Sequence, residues 1–204
     1  EILGADLGAT SGRVMLGALD EGRLTIREVH RFPNGMAERD GHLRWDVEGL
    51  YRAVAAGARK AFDEGARPVS IGVDGWGVDF GLLDGSGKLI EPPVAYRDRR
   101  TEGMREWVEA RIPRIDLYAR TGLQFLPFNT VYQAAALITA KAPALAKARR
   151  LVMIPELMMQ KMTGEAIAEE TNASTTELRE AESGKWSEAI CAASPTGAST
   201  ADGN

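Results

Sequence analysis

The sequence predicts an α/β layered domain with a mixed sheet, and three observations carry that expectation. The first is a trio of apolar segments, Ile2–Leu7, Arg13–Leu19 and Leu24–Phe32, separated by short Gly-containing breaks. Strands joined by tight turns run antiparallel, because a parallel pair needs a long crossover. The second is the stretch opened by Trp45-Asp46. There Val47, Leu50, Val54, Ala58 and Phe62 recur at steps of three and four, so one helical face is apolar and meets a sheet. The third is the order that follows: a strand at Val69–Asp74, then helices, with one more strand at Leu151–Ile154.

Each element has local support. Asp46 is placed to N-cap the first helix, and Gly65 to end it. Val78–Leu83 runs into the turn Asp84-Gly85-Ser86-Gly87. A short helix over Glu102–Arg111 closes before Pro113. Pro143 splits two Ala-rich helical stretches, Thr130–Lys141 and Ala144–Arg149, and Glu156–Thr163 is a helix stopped at Gly164. Residues 1–190 are expected to form one domain. Residues 191–204 are rich in Ala, Ser, Thr and Gly without apolar periodicity, and are expected to be a flexible stub.

Bulk properties exclude several classes. A formal net charge of -4 over 204 residues recommends neither nucleic acid nor an anionic membrane surface as partner. No apolar run approaches the roughly 20 residues of a membrane span. The lone cysteine, Cys191, forms no internal disulfide and suits a reducing, cytoplasmic compartment. Cys191 has no basic neighbour to make it a nucleophile, and His30 and His42 have no partners at metal-ligand spacing.

The sharpest local feature is Asp6-Leu7-Gly8-Ala9-Thr10-Ser11-Gly12-Arg13, set between the first two strands. Gly8 and Gly12 let the backbone approach a bound group. The N–H groups of the turn, with the hydroxyls of Thr10 and Ser11, can cradle phosphate oxygens. Arg13 adds a guanidinium fork suited to phosphate, and Asp6 is placed to hold Mg²⁺ directly or through water. No G-x-x-x-x-G-K-[ST] spacing occurs, so this is not a P-loop. The octet alone also suits a plain Gly-rich hairpin in which Asp and Ser serve as turn residues, though less well than a phosphate site.

The Asp-x-Gly-x-x-Ser-x-Arg pattern resembles the phosphate motif of the FGGY carbohydrate kinases. The resemblance continues through His30-Arg31-Phe32, Trp45-Asp46-Val47, Ser70-Ile71-Gly72-Val73-Asp74 and Trp76-Gly77-Val78-Asp79-Phe80. It then runs through Ala95-Tyr96-Arg97-Asp98, Gln124-Phe125-Leu126-Pro127-Phe128-Asn129-Thr130 and Thr171-Asn172-Ala173. Together these cover residues 2–190 in an order similar to the rhamnulokinase branch. Many FGGY kinases carry a Lys-x-x-Trp segment where this chain has Asn129-Thr130-Val131-Tyr132-Gln133, which also favours that branch.

The resemblance implies the ribonuclease-H-like fold of actin, Hsp70 and sugar kinases. It implies ATP and Mg²⁺ as cofactors, with Asp6, Ala9, Thr10, Ser11, Gly12 and Arg13 at the phosphates. It implies a ketose substrate near Trp76, Gly77, Asp79, Arg97, Asp98 and Asn129, with Gly77 as a substrate contact. The activity implied is phosphorylation of the 1-hydroxyl of L-rhamnulose. The family's catalytic aspartate opens a second domain in a Gly-x-x-x-His-Asp-like segment, and residues 1–204 contain no such segment. The base, most of the adenosine pocket and turnover are therefore expected to belong to a C-terminal domain absent from this chain. Several positions suit plainer roles: Trp76 in the core, Arg97 and Asp98 as an ion pair, Asn129 as a helix N-cap, Asn172 in a loop. Alternatives at the level of the whole chain are a kinase for another ketose, such as L-fuculose, or a non-catalytic actin-like binding module.

Overall fold

A computed structural model of the chain describes residues 1–193, and the expected stub from residue 194 onward lies outside the described residues. Four strands build the main sheet in the order β3-β2-β1-β6: β1 (Ile2–Leu7), β2 (Ser11–Asp20), β3 (Arg23–Pro33) and β6 (Ile71–Gly75). The β1–β2 and β2–β3 pairs are antiparallel, while β1 and β6 are parallel, so the sheet is mixed. The parallel register sets Asp6 beside Asp74, and the antiparallel one sets Asp6 beside Arg13. Three charged side chains thus stand in one row near the carboxyl ends of β1 and β6, where open α/β sheets bind ligands.

Helix α1 (Val47–Asp63) covers one face of this sheet. Asp46 caps it as expected, its carboxylate accepting from the Gly49 N–H at 3.0 Å. The buried face is Val47, Leu50, Val54, Gly57 and Ala61, which drifts from the expected one at its end. Phe62 is 48% exposed and belongs to solvent, because Ala61 takes the inward position one residue earlier. Gly57 makes the fit possible. A Cβ there would lie 2.5 Å from Val14 Cγ2 and 3.0 Å from His30 Cβ, so helix and sheet touch backbone to side chain.

Two small sheets complete the strand set. β4 (Met36–Arg39) and β5 (His42–Trp45) form a hairpin additional to the expected strands. Its turn is Asp40-Gly41, with φ of +53° and +77°, the backbone a two-residue hairpin demands. β7 (Phe80–Leu83) pairs antiparallel with β8 (Arg150–Met153). The strand expected from Val78 begins only at Phe80, because Val78 has φ +65° and cannot extend. Val69, at the expected start of β6, is 86% exposed and outside the sheet.

The remaining helices are α2 (Met104–Glu109), α3 (Arg114–Thr121), α4 (Thr130–Thr139), α5 (Pro143–Lys147), α6 (Ile154–Thr163), α7 (Glu170–Ser174) and α8 (Glu188–Ala193). Pro143 opens α5 rather than only dividing it from α4, since its fixed φ suits the first helical turn. The expected domain boundary at residue 190 falls inside α8. A second apolar core joins Val108, Ile112, Leu117, Val131, Tyr132 and Ile190, apart from the core beneath α1. No helix among the described residues is long and apolar enough to cross a membrane.

Gly57→Ala should lower the stability of the chain by ~1–2 kcal/mol in urea unfolding, the overpacking against Val14 outweighing the better helix propensity of alanine. A stabilised variant would mean that α1 can move off the sheet without cost.

Candidate functional site

The chain leaving β6 turns through Gly75–Asp79, and two pockets flank that turn. The larger, about 460 Å³, is lined by Trp76, Gly77, Val78, Tyr96, Leu123, Gln124, Leu126, Phe128, Asn129 and Thr175. The other, about 360 Å³, shares Gly77 and Thr175 and reaches Asp74, Glu156, Glu169 and Asn172. Gly77 is required here by geometry: a Cβ on it would sit 2.8 Å from Thr175 Oγ1 and 2.9 Å from Thr175 Cγ2. Val78 is the strained residue of the site. A β-branched side chain disfavours positive φ, so its neighbours must hold it. Thr175 Oγ1 accepts from its N–H at 3.1 Å, and its carbonyl accepts from Thr130 Oγ1 at 2.8 Å and Gln133 Nε2 at 3.1 Å.

Beneath the turn lies Asp79, fully buried. Its Oδ2 accepts from Trp45 Nε1 at 2.7 Å, Trp76 Nε1 at 3.0 Å and the Tyr96 N–H at 3.1 Å, and its Oδ1 accepts from Gln133 Nε2 at 3.0 Å. Burial raises its pKa, and the four donors oppose that rise. Asp79 was expected among the groups around a polyol; the structure places it under the floor of the pocket, where it orients Trp76 and Tyr96. Trp76 itself serves two neighbours. Its indole packs on Trp45 with ring centroids 4.3 Å apart, and it also lines the pocket.

Arg97 and Asp98 are likewise displaced from the expected site. Arg97 is exposed, donates to Tyr96 Oη at 3.2 Å and stands 5.4 Å over the Tyr96 ring. Asp98 accepts from the Leu43 and Arg100 N–H groups and from the His42 ring, pinning the β4–β5 hairpin to the Arg99–Thr101 turn. Burial pushes the Asp98 carboxyl up, but those donors outweigh it and the net shift is downward. No ion pair joins Arg97 to Asp98 among the described residues; the partner of Asp98 is His42.

Asn129 does line the pocket. It occupies the N-cap position of α4, yet its side chain makes no cap bond. Instead Nδ2 donates to the Gln124 carbonyl and to Glu177 Oε2, both at 2.9 Å. Both partners are acceptors, so the amide orientation is fixed by chemistry and Oδ1 is left as its free acceptor. Glu177 is fully buried beside Tyr132, and both its Oε1 and the Tyr132 hydroxyl lack a hydrogen-bond partner of good geometry. Burial pushes the Glu177 carboxyl up to about 7 against the pull of Asn129. Burial also raises the pKa of Glu156, which accepts from Asn172 Nδ2 at 2.8 Å. Asn172 therefore holds the α7 segment, as its loop position suggested.

The Gly8–Gly12 hairpin leaves the carboxyl end of β1, beside Gly75 where the pocket turn begins. Gly8 N–H donates to the Ser11 carbonyl at 3.0 Å and Asn34 Nδ2 to the Gly8 carbonyl at 2.8 Å, which fixes the turn. No described residue accepts from the Ala9 or Thr10 N–H or from the Thr10 and Ser11 hydroxyls, so these donors are available to an anion. Asp6 and Arg13 pair with each other at 2.6 Å, each side chain 42% exposed. Such a pair is worth about 0–1 kcal/mol and can open toward a ligand. No group of three metal-ligating side chains gathers among the described residues, so Asp6 fits a Mg²⁺ held mainly by phosphate oxygens and water. The residues the sequence left unmarked are Tyr96, Gln124, Thr175 and Glu177. Tyr96 and Gln124 lie within quoted motifs, whereas nothing local marks Glu177.

A family model described as the FGGY family of carbohydrate kinases, N-terminal domain, matches residues 1–197. The chain belongs to this family. Solved structures agree in fold. A ligand-bound xylulose kinase from Lactobacillus acidophilus superposes at a TM-score of 0.83 with 17% identity, over 95% of this chain and 39% of that one. A carbohydrate kinase from Novosphingobium aromaticivorans gives 0.79 and 24%, over 97% and 42%. A Plasmodium falciparum glycerol kinase with ADP gives 0.76 and 19%, over 97% and 41%. This FGGY chain thus spans about two fifths of the length of each.

Glu177 makes stability pH-dependent in a defined direction. A carboxyl raised from 4.5 to about 7 on folding contributes stability fully present below pH 4.5 and lost as pH rises through 7. The difference in urea stability between pH 5 and pH 8 should shrink by on the order of 2 kcal/mol in Glu177→Gln. An unchanged difference would place the titration elsewhere.

Proposed function

We propose that this chain is the sugar- and phosphate-binding half of an ATP-dependent kinase that phosphorylates the 1-hydroxyl of L-rhamnulose. The observation that carries the choice of sugar is the wall of the larger pocket. Leu123, Leu126 and Phe128 line it together with Trp76, Val78 and Tyr96, leaving Asn129, Gln124, Thr175 and the Gly77 backbone as the polar groups. L-rhamnulose is a 6-deoxyketose, so it carries a methyl group at one end and hydroxyls along the rest. A mainly apolar lining with a few polar groups suits that division better than it suits a sugar with a hydroxyl at every carbon. Trp76 offers an indole face to ring C–H groups, and Asn129 Oδ1 offers an acceptor to one hydroxyl.

The phosphate end has separate machinery. Mg²⁺-bound ATP supplies the transferred phosphoryl group. The free N–H groups of Ala9 and Thr10 and the hydroxyls of Thr10 and Ser11 would hold phosphate oxygens, with Gly12 keeping the turn narrow. Arg13 would leave Asp6 for a phosphate, and Asp6 would then hold the metal through water. The general base is assigned to the second domain of the intact kinase. Asp79, four times hydrogen-bonded, sealed from solvent and outside the pocket lining, is not within reach of a substrate hydroxyl.

Calorimetry on this chain and ADP release by the intact kinase test the reading with a panel of ketoses. L-rhamnulose should bind most tightly, and D-xylulose, lacking the methyl group, about 10–100-fold more weakly. Preference for D-xylulose or glycerol sinks the assignment, and preference for L-fuculose moves it to the other 6-deoxyketose. Leu126→Asn should erase most of the discrimination between L-rhamnulose and D-xylulose while leaving the affinity for D-xylulose within about threefold. In the intact kinase, Asp6→Ala should impair use of Mg·ATP and spare sugar affinity. Equal loss of both would make Asp6 a structural residue.

A further inference from the structure

A second cavity, of about 510 Å³, shares no lining residue with the sugar pocket. It lies between the β4–β5 hairpin, the Ile90–Val94 segment and the α4–α5 corner. Its lining combines three cations, Arg44, Arg100 and Lys147, with apolar residues that include Ile90, Leu137 and Ala140. Arg44 is only 7% exposed. Its sole carboxylate partner, Glu91, stands 3.4 Å from Nη2, and its Nε is sealed without a partner.

Arg100 is the less satisfied of the two arginines. Its Nη2 donates to a neutral amide oxygen, Gln133 Oε1, at 2.6 Å, its Nε is also sealed without a partner, and Nη1 makes no hydrogen bond. No carboxylate among the described residues lies within ion-pair distance of Arg100 or of Lys147. Burial draws the Arg100 pKa down to about 10, the charges of Asp79, Asp98 and Glu91 offsetting it only in part because none of them pairs with the guanidinium. Two guanidinium groups and an ammonium thus face one cavity with a single, long carboxylate contact between them.

From this arrangement we infer that the cavity is a binding site for a small organic carboxylate with an apolar body. The planar carboxylate matches the guanidinium fork of Arg100 and Arg44, and Lys147 adds a point charge at the rim. The body of the ligand would lie on Ile90, Leu137 and Ala140. Asp40 and Glu91 also line the cavity, and their charge weighs against a dianion such as a phosphate monoester.

The site is wired to the sugar pocket. Arg100 bonds Gln133, Gln133 bonds Asp79 Oδ1, and Asp79 Oδ2 bonds the indole of Trp76, at 2.6, 3.0 and 3.0 Å. A carboxylate that draws on Arg100 pulls on the first link of that chain, so occupancy should register in the emission of Trp76 and of Trp45, which shares Asp79.

Thermal unfolding and tryptophan emission of the 204-residue chain, titrated with benzoate, hexanoate, benzamide and inorganic phosphate, test the inference. Benzoate or hexanoate should raise Tm in a saturable way with a matching emission change, and benzamide and phosphate should do neither. Lys147→Glu and Ala140→Phe alter exposed positions on the cavity wall, so both should fold normally and weaken carboxylate binding about tenfold, roughly 1.4 kcal/mol. Equal stabilisation by benzamide would reduce the cavity to an apolar hole. Stabilisation by phosphate to the same extent would overturn the carboxylate assignment. Unchanged binding in both variants, or no binding of either carboxylate below ~10 mM, would remove the site altogether.

Discussion

The buried carboxylate of Asp79 is the constraint on which the site rests. A carboxyl at zero exposure costs free energy for each of its lone pairs left without a donor. Here four donors from four separate parts of the chain occupy them: Trp45 at the end of β5, Trp76 after β6, Tyr96 in a loop and Gln133 on α4. Loss of Gln133 would leave Oδ1 without a donor in a place water does not reach, whereas Oδ2 would keep two of its three donors if any one of the others were lost. The network therefore fixes the relative positions of segments that no strand ladder connects. The indole of Trp76 and the backbone of Tyr96 are set by hydrogen bonds below the floor, and packing alone would leave that indole freer to turn.

Above that hub, strain and close approach act together. Val78 sits at positive φ and would relax if its N–H and carbonyl were free, but Thr175, Thr130 and Gln133 hold both ends. The same Thr175 occupies the space a side chain at position 77 would need. One threonine on a distant segment thus explains why residue 77 is glycine and why residue 78 can keep an unfavourable backbone. A bent, fixed turn exposes its backbone toward the pockets on either side, which a regular continuation of β6 into β7 could not do.

Much of the fold could be read from periodicity. The three opening strands, α1, α2, α4, α5 and α6 follow from apolar spacing and from Gly and Pro, because those signals report a local rule, whereas α3, α7 and α8 were not among the expected helices. The β4–β5 hairpin escaped because its strands are only four residues long, although Asp40-Gly41 is the turn such a hairpin uses. Phe62 was misplaced because a helix is not obliged to bury its largest apolar residue when a small one packs closer. In the site, Asn129, Trp76 and Gly77 line the pocket, and Asp79, Arg97 and Asp98 do not. Sequence shows that a carboxylate follows a strand, but whether it faces a ligand or the interior depends on donors tens of residues away. Glu177 was illegible for the same reason: its meaning comes from Asn129 and Tyr132, 48 and 45 positions earlier.

That pairing explains why an acid occupies position 177 in an otherwise apolar core. An asparagine at a pocket wall can present either its oxygen or its nitrogen, and which one a hydroxyl meets decides whether the site accepts or donates. The Gln124 carbonyl takes one amide hydrogen of Asn129, and a second acceptor is needed to take the other. The ionised carboxylate accepts at both oxygens and has no donor, and the Gln124 carbonyl, which cannot donate, holds the orientation when Glu177 is protonated. A hydroxyl or an amide in its place could rotate and offer a donor instead. The buried acid therefore keeps Asn129 Oδ1 turned out as an acceptor at a cost in desolvation, and the raised pKa of Glu177 is the visible form of that cost.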